Sequence, residues 1–193
     1  MPDSKKIEIP QGVWDFHGHI CPFMPIGYRM GLVAMRELGV SHIGDHGAFG
    51  LSEMGVGHPQ TCMIDGFMAV TGCTYGKLMM ERLNYGKVAC LLVVPGKGAV
   101  RVYLKSEFQD ALGKQEFFVY RKKGIEPSQI PADVVNTVVD MFSHGKYPGW
   151  TTSTVAWILS QIPQRSSITA RLAARIRSFV LARLMSESGA CTV

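Results

Sequence analysis

No Cys-x-x-Cys pair occurs anywhere in the 193 residues, although five cysteines are present. That absence excludes the zinc-ribbon and thioredoxin-type redox spacings. The odd count in a chain of this kind also argues against a disulfide framework. Any metal site must therefore be assembled from separated segments. An uninterrupted apolar run of about 18 residues is missing too, so no transmembrane helix is expected. The opening stretch, "MPDSKKIEIPQGVW", has neither an apolar core nor a small-residue cleavage site. No secretory signal is expected from it, and the cytoplasm is the expected location. Internal repeats and low-complexity segments are absent as well.

Charge is sparse. Charged residues make up 18% of the chain against 47% hydrophobic, a globular and rather apolar composition. The net charge of +5 is uneven, because Arg165, Arg171, Arg175, Arg177 and Arg183 crowd the last stretch. No aromatic RNA platform and no zinc-finger spacing accompanies them, so no nucleic-acid partner is expected. They read as the solvated flanks of a terminal helix whose apolar stripe runs Ile168, Leu172, Ile176, Phe179, Val180 and Leu184. Such a stripe needs a cover, either the domain itself or a second copy in a homodimer.

Periodicity outlines the rest. "PIGYRMGLVAMRELG" predicts a helix over about 23–38, stopped by Gly39. A short strand is expected at 48–53. "CMIDGFMAVTGC" predicts a helix that begins at Cys62 and breaks at Gly72. "KVACLLVVPG" and "GAVRVYLK" predict two strands joined by a hairpin-like turn. "EFQDALGKQEFFVYRKKG" is read as one helix, and "PADVVNTVVDMFSHG" as another. Composition changes at "KYPGWTTS". The expected organisation is an α+β core domain over 1–148, a mixed sheet flanked by helices, and a helical basic extension over 149–193 with helices on either side of Pro163.

The chemistry concentrates in "DFHGHICP". If 17–21 is extended, His17, His19 and Cys21 share one face. Pro22 can open a helix, which places the Cys21 thiol at a positive dipole end. A second polar group follows in Cys62, Asp65 and Cys73, preceded by His58. Cys62 and Asp65, three apart, share a helical face. Thiolate and imidazole donors together suit zinc or another late transition metal. His17 or His58 can alternatively serve a haem, which needs an axial donor and an apolar pocket, and 11 methionines supply apolar bulk. Cys90, inside "ACLLVV", reads as core, and Cys191 as a tail residue.

"FHGHICP", "GYRMG", "TGCTYGK" and "GKVA", in this order, resemble the FmdE family of formylmethanofuran dehydrogenase subunits over about residues 12–140. The resemblance implies an α+β core, somewhat thioredoxin-like. It implies zinc held through His17 or His19, Cys21 and Cys62, with Cys73 close by. It also implies, for some relatives, an accessory place in a molybdenum or tungsten dehydrogenase, a larger redox complex.

Overall fold

The computed structural model describes residues 7–44, 47–57, 60–94, 96–143 and 150–154. Five strands form one mixed sheet in the order β2-β1-β3-β4-β5. They are β1 (Phe49–Ser52), β2 (Met80–Arg82), β3 (Ala89–Val94), β4 (Gly98–Leu104) and β5 (Trp150–Thr154). β1 and β2 are parallel, and the remaining pairs are antiparallel. Parallel neighbours need a crossover, and α3 (Cys62–Thr71) is that connection. Before the sheet come α1 (Gln11–His17) and α2 (Phe23–Glu37). After β4 follow α4 (Ser106–Gly113), α5 (Glu116–Lys122) and α6 (Ala132–Ser143). This is the expected α+β class with a mixed sheet and flanking helices. Among the described residues no helix is long and apolar enough to cross a membrane.

Strand alternation divides the apolar side chains between two faces. Cys90, Leu92, Val94, Val100, Val102 and Leu104 face α2 and α3 and complete the main core with Met30, Phe67 and Phe117. Phe49, Leu51, Val93 and Ala99 form a smaller cluster on the reverse face. There Arg101 forks onto the Glu53 carboxylate at 2.6 and 2.7 Å and stacks over Tyr103, 4.8 Å from its centroid. The Glu53 side chain is 8% exposed and that of Arg101 is 21%. Removing one member of so shielded a pair leaves the other without its partner. Glu53→Ala is thus expected to lower unfolding stability by about 2–4 kcal/mol, and Glu53→Met with Arg101→Met to recover most of it in denaturant titration.

Two expectations are corrected, and one condition is not met. "EFQDALGKQEFFVYRKKG" is two helices, because Gly113 weakens the first and Gln115 turns extended to start the second. Residues 153–154 belong to a strand rather than a helix. Trp150 and three threonines suit a pleated edge better, and Val100 pairs with Thr154. The sheet therefore reaches past residue 148, and the remainder of the expected 149–193 extension lies outside the described residues. Residues 17–21, finally, are not extended, which bears directly on the site.

Candidate metal centre

His17 is the last residue of α1, and Gly18 ends that helix in the left-handed region at φ 82°, its N–H donating to the Trp14 carbonyl at 2.8 Å. Glycine adopts that turn without the strain a Cβ brings. The chain then reverses through His19 to Cys21 and enters α2. The two histidines converge through a helix end and a turn rather than through strand alternation, and their rings lie 4.4 Å apart.

α2 and α3 run side by side in the same direction. A Cβ on Gly27 would fall inside the Met63 carbonyl, and one on Gly66 would meet the Met24 carbonyl, while Gly31 faces Val70 and Thr71. Early residues of one helix thus touch early residues of the other, and late residues touch late ones. Both N-termini reach the same place, with Cys62 as the first residue of α3 and Cys21 just ahead of α2. Two positive dipole ends at one spot favour thiolates there.

One ligand atom each from His17, His19, Cys21 and Cys62 lies within 4.8 Å of all the others. A tetrahedral zinc site has donors about 3.4–3.8 Å apart, given bonds of about 2.0–2.3 Å, so a small contraction suffices. Cys21 and Cys62 are buried, whereas His19 is exposed. His17 Nδ1 bonds the Asp65 carboxylate at 2.8 Å, with the His17 side chain 3% exposed. Its Nε2 is buried and has no hydrogen-bond partner. A carboxylate on one ring nitrogen and an unpartnered nitrogen on the other is the arrangement of a metal-ligating histidine, whose second nitrogen gives up its proton on binding. The donor set fits a transition-metal ion on that observation.

The charges agree. The neighbouring Cys62 thiol, with the His17 and His19 rings and the Phe23 N–H beside it, outweighs burial and holds the Cys21 thiol down at about 3. Cys62 is pushed up, chiefly by its bond to Cys21 and then by burial. The Asp65 carboxylate, followed by Cys21, raises His17 from 6.5 to about 9. Without an ion the cluster is an imidazolium–thiolate pair beside a neutral thiol.

Cys73 does not join them. It lies past the opposite end of α3, about 15 Å along the axis from Cys62 at 1.5 Å per residue. It is fully buried in the main core, and burial pushes its thiol up to about 11. His58 lies outside the described residues, as does Cys191. Cys90 is fully buried in β3, as expected of a core residue. His42 bonds the Val70 carbonyl at 2.9 Å, and Arg29 ties α2 to the Ser143 carbonyl at 3.1 Å.

Beside the cluster opens a cleft of about 640 Å³, lined by His17, His19, Cys62 and Asp65 together with Tyr75, Arg82 and Asn84. Arg82 is the last residue of β2 and Asn84 lies just past it, so the cleft reaches the carboxyl end of that strand. Sequence reasoning missed Tyr75, Arg82 and Asn84. A lone arginine, tyrosine or asparagine has no spacing signature.

An α+β fold with two thiols and two imidazoles gathered at a pair of helix N-termini defines a candidate metal-binding protein with an adjoining cleft. The chain belongs to the FmdE family, whose model, described as "FmdE, Molybdenum formylmethanofuran dehydrogenase operon", matches residues 16–142. A crystal structure of a tungsten formylmethanofuran dehydrogenase FmdE-like protein from Syntrophus aciditrophicus shares the fold. Its TM-score is 0.52 at 21% identity, over 74% of this chain and 67% of that one. A probable S-adenosyl-L-methionine-binding protein from Archaeoglobus fulgidus is 37% identical over 108 residues, which are 55% of this chain. The chain spans only 29% of that relative's length.

Proposed function

We propose that this protein binds one transition-metal ion, zinc by the chemistry of its donors, through His17, His19, Cys21 and Cys62. The observation that carries the reading is the buried, unpartnered His17 Nε2 beside two thiols, its ring fixed by Asp65. Mixed sulfur and nitrogen donors favour zinc over hard cations. His19, the exposed donor, is the one that a water or a ligand can displace, which suits a reactive centre on a cleft better than a closed structural site. We read the protein accordingly as a small metalloprotein of redox-associated, anaerobic metabolism. Four donors converging within one coordination sphere favour an ion over a haem, which takes axial donors from opposite faces of a macrocycle. A cytoplasmic homodimer closed by the Ile168–Leu184 stripe, and docking to a larger dehydrogenase complex, belong to the same proposal.

Elemental analysis of the purified full chain tests it, with one zinc per chain expected. The binding must also depend on pH. His17 and Cys62 have to lose protons before they ligate, whereas Cys21 is already a thiolate. Apparent zinc affinity should therefore rise with pH, and less steeply once His17 passes about 9, because Cys62, pushed up, still has its proton to lose. The His17 proton also stabilises the empty protein, fully below about 6.5, and that contribution fades as pH climbs through about 9. Zinc-free protein, or an affinity indifferent to pH between about 6 and 9, would overturn the assignment.

A further inference from the structure

We propose that the cleft takes a small organic carboxylate, with Arg82 as its anchor, Tyr75 and Ile64 along its apolar part, and the Cys/His cluster at its far end. The far end rests on the metal-binding reading above, and the anchor does not.

Arg82 closes β2 and lines the cleft, and it makes no hydrogen bond or ion pair among the described residues. An exposed arginine is ordinarily unremarkable as a solvated charge. This one lines the same cavity as the ligand cluster, and its charge is felt at Tyr75. The chain around it is also held in an uncommon shape. Asn84 takes φ 57°, and Leu78, at the other flank of β2, takes φ 55° with its side chain exposed. Left-handed backbone costs a leucine roughly 1–2 kcal/mol, and strain of that kind gathers where a fold positions a site. The turn at Asn84 brings its amide onto the cleft wall beside Arg82. Asparagine and tyrosine hydroxyl supply neutral donors next to the guanidinium fork, a set suited to a planar carboxylate.

Charge decides between anions. Asp65, its side chain 36% exposed, also lines the cleft. A phosphate dianion would face that carboxylate with one guanidinium to balance it, whereas a monoanion is matched by Arg82 alone. Ile64 and Tyr75 add an apolar wall, and a volume of about 640 Å³ suits a ligand of metabolite size.

The probes are 3-phenylpropanoate and its neutral amide, titrated by calorimetry into the zinc-loaded full chain. The carboxylate should bind at least about tenfold more tightly than the amide, as a charge-assisted pair requires. Arg82→Ala should erase that preference, and Arg82→Lys should restore part of it, with zinc content unchanged in both. In cobalt-substituted protein the carboxylate should perturb the thiolate charge-transfer band. Equal binding of the two probes, or a preference that survives Arg82→Ala, overturns the proposal. A chain without metal that still prefers the carboxylate through Arg82 would sink the metal reading and leave the anchor standing. An unperturbed cobalt band would refute the placement of the cluster at the far end.

Discussion

Cys21→Ala is expected to abolish stoichiometric zinc binding, whereas Cys73→Ala leaves it intact. A four-donor zinc site is worth about 10–16 kcal/mol near neutral pH, or about 2.5–4 kcal/mol per donor if shared evenly. Losing one donor should then cost about 60- to 700-fold in affinity. Cys21 is the donor whose loss weighs most. It is the thiolate of the empty site, it accepts from Cys62, and it lies at the joined N-termini of α2 and α3. Its removal also lowers the His17 pKa, because Cys21 stands second to Asp65 among the groups that raise it. The pH dependence of any residual binding should shift down accordingly. Cys73 is the matched control, a thiol equally buried but past the other end of α3. Replacing it costs packing, about 1–2 kcal/mol for a small cavity, with zinc content unchanged. Competition with a chromophoric chelator reads both variants. Full zinc in Cys21→Ala, or its loss in Cys73→Ala, would place the ion elsewhere.

The contrast between these cysteines shows where sequence reasoning succeeds and where it stops. α2 and α3 were legible within a residue or so, since both carry an apolar stripe of helical period and both end at a glycine, Gly39 after α2 and Gly72 after α3. The hairpin of β3 and β4 was legible from its apolar run and its turn. β2 was not, because three residues of "LMMERL" carry no pattern, and their strand conformation comes from pairing with β1. α1 was not either. None of its seven residues is buried as a whole, so they show no apolar stripe. Within the site, the motif order put Cys73 close to Cys62, yet a helix of ten residues places them at its opposite ends. Asp65 was visible as a neighbour of Cys62, but its bond to His17, 48 positions away, is tertiary. Arg82 is one of 20 basic residues and becomes distinct only by the cavity it enters.

Gly27→Ala is expected to cost more than any other single methyl added to this fold. Gly27 sits inside α2 with ordinary helical backbone, so alanine there gains up to about 1 kcal/mol of helix propensity. The methyl, however, would enter the Met63 carbonyl and the backbone around it. A clashing side chain can rotate away, but a helix backbone moves only as a body. Overpacking a core typically costs about 1–3 kcal/mol, and a backbone obstacle belongs at or above the upper end. For a domain of this size that is a fall in Tm of about 6–12 °C. Parting α2 from α3 also draws Cys21 from Cys62, since each thiol rides on the N-terminus of one helix. Zinc affinity and stability should therefore fall together, in metal-free as well as loaded protein. Gly12→Ala is the counterpart in α1, where an added Cβ meets nothing within 4 Å. The same chemical change should there be neutral or raise Tm slightly. If thermal unfolding finds Gly27→Ala as stable as Gly12→Ala, the two helices are not in glycine-mediated contact, and the convergence of the two thiols loses its structural cause.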